Sequence, residues 1–143
     1  MNPPKEIINV GQLELRFLLD GNDTNGQIVM FEFLIPPGAK VPAPHYHAEV
    51  DEITYGLEGI TSTYLNGERI DIAPGDRLFI PRGAVHQHNN HTDKTVKVLC
   101  MLSPASIGPD YFREIGDYLK NNVPPDMKMV TEIMDRHGLI VVV

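Results

Sequence analysis

The first hundred residues place their apolar side chains in short runs, each closed by glycine, proline or asparagine, a pattern that suits strands and leaves no room for long helices. Leu13 to Leu19 is apolar at every odd position and reads as a half-buried strand. Asp20 to Gly26 is a turn-forming cluster. Gln27 to Ile35 follows, apolar at nearly every position, which predicts a strand covered on both faces, one of them by another layer or a partner subunit. Pro36-Pro37-Gly38 ends it. Glu52 to Leu57 and Ile60 to Leu65 are joined by Glu58-Gly59, read as a tight hairpin, and Asn66-Gly67 signals a second hairpin into Arg69 to Ile72. Arg77 to Ile80, Val85 to His88 and Thr95 to Leu102 complete the series. Many short strands at this spacing predict an all-β sandwich or barrel.

Beyond residue 103 the period changes. Tyr111, Phe112, Ile115, Tyr118 and Leu119 recur at helical spacing, and Val130, Ile133, Met134 and His137 do so again. Pro124-Pro125-Asp126 offers the second helix an N-cap and Gly138 a stop. Each helix has one apolar stripe, so both are expected on the outer face of the β structure or at a subunit contact. The β-type tail Leu139 to Val143 is expected to be paired or buried. With 143 residues and no repeat or linker, the chain reads as one domain, 1–143.

A net charge of −7 and scattered arginines (among them Arg16, Arg69, Arg82, Arg113 and Arg136) argue against nucleic acid or an anionic membrane as partner. The N-terminus has no apolar signal-peptide region, and no stretch approaches the ~20 apolar residues that span a bilayer. The single cysteine, Cys100, lies in an apolar run and reads as a buried small hydrophobe in a reducing compartment. A cytoplasmic protein is the expectation.

Five of the six histidines lie in two short segments. In a strand, His45 and His47 point to the same side, and Glu52 could reach the same point from the next strand. His86-Gln87-His88-Asn89-Asn90-His91 supplies at least one more imidazole. Imidazoles and a carboxylate suit a divalent Fe, Mn, Co, Ni, Cu or Zn ion. The same residues could instead be hydrogen-bonded or surface histidines without a metal. His88 reads as solvated or as a partner of the ligands, with a direct ligand role as the alternative. His91 reads as exposed, and His137 as a helix-terminal cation. Glu49 is a weaker competitor for Glu52, and Asn90 reads as a turn-stabilising side chain.

Gly38, six residues, His45-x-His47, four residues, Glu52, six residues and Gly59 resembles the first cupin motif; Gly75, five residues, Pro81-x-Gly83, two residues, His86, three residues and Asn90 resembles the second. The first motif spans 38–59 and the second 75–90, with a helical segment at 109–138 outside them. One departure is a sixth residue before His45, where the family pattern has five; it predicts a longer loop at Lys40 to Pro44. The resemblance implies a jelly-roll β-barrel with two C-terminal helices packed outside, and one divalent ion held by His45, His47, Glu52 and His86. It further implies a metal-dependent, quercetinase-like dioxygenase acting on a small phenolic or diketone-like substrate, with Glu52 doubling as proton acceptor. A cupin isomerase or a non-catalytic small-molecule or sugar-binding cupin is the alternative. Tyr46, Tyr55, Tyr64, Phe31, Phe33, Phe79 and Met101 are candidate pocket-wall residues. A homodimer is expected, to cover the doubly apolar strand and the tail.

Overall fold

The computed structural model describes residues 2–39 and 43–142, so Lys40, Val41 and Pro42 of the lengthened loop, and Val143 of the tail, lie outside the described residues. The strands are β1 (Glu6–Val10), β2 (Leu13–Leu19), β3 (Val29–Ile35), β4 (His45–His47), β5 (Asp51–Glu58), β6 (Thr61–Leu65), β7 (Glu68–Ile72), β8 (Arg77–Ile80), β9 (His86–Asn89), β10 (Val96–Ser103) and β11 (Leu139–Val141). Two helices, α1 (Pro109–Asn121) and α2 (Met127–Arg136), precede β11. A six-stranded sheet runs β1-β2-β3-β10-β5-β8, and a five-stranded sheet runs β11-β4-β9-β6-β7.

This jelly-roll-like arrangement differs from the sequence expectation in three places. No strand pairs from one sheet to the other among the described residues, so the sheets form an open sandwich and not a closed barrel. Glu58-Gly59 is not a hairpin: β5 pairs with β10 and β8, whereas β6 pairs with β7 and β9, so the chain crosses between sheets there. Turn chemistry marked the reversal, but it could not say which strand comes next to which. Glu6–Val10, outside the strands expected from the sequence, is a strand paired with β2 across a turn at Gly11-Gln12.

Other signals are realised. Asn66 and Gly67 take φ of 49° and 83°, the left-handed pair that a two-residue hairpin between β6 and β7 requires. In β3 the alternate residues Val29, Phe31, Phe33 and Ile35 are buried, while Met30, Glu32 and Leu34 are half-buried on the outer face. Nothing else in the described chain covers that outer face as a further layer. The tail pairs with β4 through Leu139–Val141, and Cys100 is buried. The Asp126 side chain accepts from the Lys128 backbone N–H at 2.9 Å, capping α2 as expected.

The helices do more than decorate an outer face. Phe112 of α1 sits 5.6 Å from the Phe17 ring and 5.5 Å from the Phe31 ring, centre to centre, on the inner side of the six-stranded sheet. Tyr111, Ile115, Val130, Ile133 and Met134 are buried in the same core as β1, β2, β3 and β10. The amphipathic stripes were read correctly, yet their partner is the interior of the sandwich. Arg113 of α1 donates to Glu6 of β1 at 2.8 Å, and Glu114 pairs with Arg136, the last residue of α2, and with His137 just after it. The Arg136 guanidinium, followed by His137, holds the Glu114 carboxyl down at about 2.

Gly116 sets how closely α1 approaches β1: a Cβ built there would lie 2.4 Å from the Asn9 carbonyl oxygen, which is backbone and cannot turn away. Gly116→Ala is therefore expected to lower stability by about 1–3 kcal/mol, the usual cost of overpacking. Denaturant unfolding of the variant checks this, and unchanged stability would show that the helix is not seated on β1.

Candidate metal centre

β4 is only three residues long, yet it lies between β11 and β9. His45 is in register with His86 of β9 on one side and with Val141 of β11 on the other. The two-residue strand period then turns His45, His47, His86 and His88 to one face of the five-stranded sheet. Glu52 comes from the facing sheet, on β5, at the second residue of a run whose even members point inward. All five side chains are at most 6% exposed.

The ring centres of His45 and His86 are 4.7 Å apart, those of His47 and His86 4.8 Å, and those of His45 and His47 5.2 Å. One nitrogen from each of these three lies within 4.8 Å of one from each of the others. The tautomers are largely settled by local carbonyls. The Nδ1 of His45 is 2.8 Å from the Ala43 carbonyl oxygen, and that of His86 is 3.0 Å from the Ala84 carbonyl oxygen. A carbonyl only accepts, so each Nδ1 carries the proton and each Nε2 keeps a bare lone pair, the form in which imidazole ligates a metal.

Burial, followed by the neighbouring imidazoles, depresses His45 to about 3. Burial also lowers His47 to about 4, against the opposing pull of Glu52. Burial alone would raise the Glu52 carboxyl, but the His88 and His86 imidazoles outweigh it and hold the group well below its ordinary value. For His86 the balance is reversed: burial lowers it, and the Glu52 carboxylate more than compensates. His47 Nδ1 is buried and has no hydrogen-bond partner. Neutral imidazoles, an orphaned ring nitrogen and a carboxylate, massed in an apolar interior, fit a cation far better than they fit one another.

Glu52 Oε1 lies 3.6 Å from His86 Nε2. Two ligand atoms each about 2.1 Å from one ion at tetrahedral angles would be roughly 3.4 Å apart, so this separation suits a shared ion. A second grouping, Glu52, His88 and Cys100, is also compact. It is already closed by its own bonds: His88 Nε2 stands 2.7 Å from Glu52 Oε2, too near for an ion between them. Burial raises the Cys100 thiol well above its ordinary value.

The candidate ligands read from the sequence thus converge, and His88 joins them as a partner of Glu52. The other readings sort themselves by burial. Glu49 and His91 are exposed. His137 closes α2 and bonds Glu114 at 2.8 Å. Asn90 stabilises its turn, donating to the Ile35 and Lys94 carbonyls at 2.8 and 2.7 Å. Of the expected wall residues, Phe31 and Phe33 line the chamber. Tyr55 and Phe79 point outward, 38% and 56% exposed. Tyr111, Phe112, Ile115 and Met134 line it from the helices. Their signal was the apolar stripe, which gives a buried face without naming what it faces.

Comparison with known proteins agrees with this architecture. A family model described as "Cupin domain" matches residues 31–102. Quercetin 2,3-dioxygenase of Bacillus subtilis is 30% identical over 110 residues, covering 77% of this chain and 32% of that protein. A predicted oxalate decarboxylase from Thermotoga maritima superposes with a TM-score of 0.65 at 25% identity, over 72% of this chain and 94% of its own. A cupin sugar phosphate isomerase from Silicibacter pomeroyi gives 0.58 at 27% identity, over 66% and 60%. The chain spans less than two thirds of the curated relatives it matches. With two motifs in order, both sheets in place and the family's model matched over half its length, the chain belongs to the cupin family.

Proposed function

We propose that His45, His47, His86 and Glu52 hold one divalent transition-metal ion, and that the protein is a metal-dependent dioxygenase for a small apolar, ring-bearing phenol or diketone. The ion would supply Lewis acidity and, if redox-active, electrons for dioxygen chemistry. The observation that carries the substrate class is the chamber wall. Apart from the polar site residues and Cys100, the lining is aliphatic or aromatic, with Phe31, Phe33, Tyr111 and Phe112 supplying the rings. Among the described residues that line the chamber there is no lysine or arginine to meet a phosphate, which counts against a sugar-phosphate substrate. Glu52 is the anion of the chamber and the group to take a proton from a substrate hydroxyl.

The chamber measures about 50 Å³. A cavity that admits benzene is about 150 Å³, so a phenolic ring cannot occupy the chamber as it stands. Access falls to the helical cover, where Phe112 packs against Phe31 and Tyr111 against Phe112. Once seated, a flat ring would displace the water that competes with it for the ion.

A homodimer remains our reading of the outer face of the six-stranded sheet. Ile53, in register with Met101 on one side and Phe79 on the other, forms an apolar row there, with Ile53 39% and Phe79 56% exposed.

Three outcomes follow. His47→Ala and His86→Ala are each expected to abolish stoichiometric metal in purified protein, read by elemental analysis; metal retained in both would refute the ligand set. Oxygen uptake is expected from Fe-, Mn- or Ni-loaded protein with phenols or diketones. No uptake with any of the three would overturn the dioxygenase reading, and turnover of sugar phosphates would favour the isomerase. The third concerns pH. His45 and His47 titrate at about 3 and about 4 folded, against 6.5 ordinarily. Below 6.5 the unfolded chain gains protons that the folded chain refuses, so stability falls as pH falls. Glu52, also lowered, acts in the same sense once the pH falls below its ordinary 4.5, whereas the stabilisation from His86, raised, is lost only as pH rises above 6.5 and leaves this window unopposed. The melting temperature of metal-free protein should therefore decline from pH 6.5 toward 4; a flat profile would contradict the buried neutral imidazoles.

A further inference from the structure

Resting on the metal-centre reading above, we propose that His88 is a positioning residue that holds Glu52 to the ion through one oxygen only, Oε1. Glu52 Oε2 accepts two hydrogen bonds, from His88 Nε2–H at 2.7 Å and from the Thr54 hydroxyl at 2.8 Å. A carboxylate oxygen has about two lone-pair directions, so Oε2 is saturated. Oε1 takes no part in these bonds and lies 3.6 Å from His86 Nε2, beside the imidazole cluster.

His88 is itself fixed from behind. Its Nδ1 is 2.8 Å from the Thr63 hydroxyl, on the neighbouring strand β6, where Thr63 and His88 are in register. Because a carboxylate only accepts, Nε2 must carry a proton, and Nδ1 is then free to accept from Thr63. The result is a directed chain, Thr63 to His88 to Glu52, running from the five-stranded sheet to the six-stranded one. All four members, Thr54 included, are at most 5% exposed, so water does not compete for these bonds. The His88 ring also stands edge-to-face with the Phe33 ring, centre to centre at 6.3 Å, which limits its rotation.

Without His88, Oε2 keeps only the rotatable Thr54 hydroxyl, and the carboxylate is free to turn and bind the ion with both oxygens. Coordination number is the property this chain controls, and with it the number of positions left open for substrate.

Cobalt(II) reports coordination directly through its visible absorption, without any turnover. Wild-type, His88→Phe, His88→Gln, Thr63→Val and Glu52→Gln proteins would be loaded with Co²⁺, their spectra recorded, and their affinities measured by competition with a chelator. His88→Phe should give a weaker, shifted d–d band, as expected for a higher coordination number, and roughly 10- to 100-fold lower affinity, the usual effect of losing a partner of a ligand. His88→Gln, whose amide can still donate to Oε2, should restore the wild-type band. Thr63→Val leaves every ligand in place and should shift the band in the same direction by less; it carries the test if His88→Phe does not fold. A wild-type spectrum in His88→Phe, or in Thr63→Val if that variant alone is folded, overturns the proposal. So does a shifted band that His88→Gln fails to restore, since that marks a structural role only. If wild-type protein takes up no Co²⁺, or Glu52→Gln leaves its spectrum unchanged, it is the ligand assignment that fails.

Discussion

The short antiparallel pairing that sets His45 of β4 opposite His86 of β9 is the contact on which the rest of the site depends. Three residues of strand would not stay ordered alone. β11 supports β4 from its other side, pairing Leu139 with His47 and Val141 with His45. The C-terminal tail is therefore part of the site's foundation. The helices that the motifs do not include return the chain to the sheet edge where β4 would otherwise be unpaired. The same helices bring Phe112 and Tyr111 over the chamber, so the scaffold of the imidazoles and the roof over them are one segment.

The imidazoles themselves are prepared for a cation before any ion arrives. The Ala43 and Ala84 carbonyls, each two residues before its histidine, fix the proton on Nδ1 and leave Nε2 bare. Both carbonyls lie in the segments that lead into β4 and β9, so the chain entering each strand sets the tautomer of its first histidine. The facing sheet contributes Glu52, so an ion would tie the two halves of the open sandwich together where no strand pairing does. A cofactor held this way should stabilise the fold as well as serve chemistry.

Much of this was legible in the sequence because strand periodicity is local. The spacing His45-x-His47 is enough to aim two rings together, and Asn66-Gly67 is enough to specify a hairpin. Glu58-Gly59 misled because a reversal in the chain does not reveal whether the next strand joins the same sheet. The roles of Tyr111 and Phe112 were hidden for a similar reason: a stripe shows that a helix buries one face and leaves its partner undetermined. His88 was ambiguous because its function depends on Thr63 and Glu52, residues 25 and 36 positions away. Nothing in the interval between them encodes that meeting; the pairing of β6 with β9 does.

The central claim is that three bare imidazole nitrogens and one carboxylate await a single ion, with His88 standing behind the carboxylate. Long-range proton–nitrogen NMR of the histidine rings during titration with Zn²⁺ reads this nitrogen by nitrogen. The account predicts Nδ1-protonated rings for His45 and His86 in the metal-free protein, large shifts at one ring nitrogen each of His45, His47 and His86 on saturation with one equivalent, and a His88 ring still protonated at Nε2. Nε2-protonated rings at His45 and His86, or a His88 Nε2 that loses its proton to the metal, would contradict it.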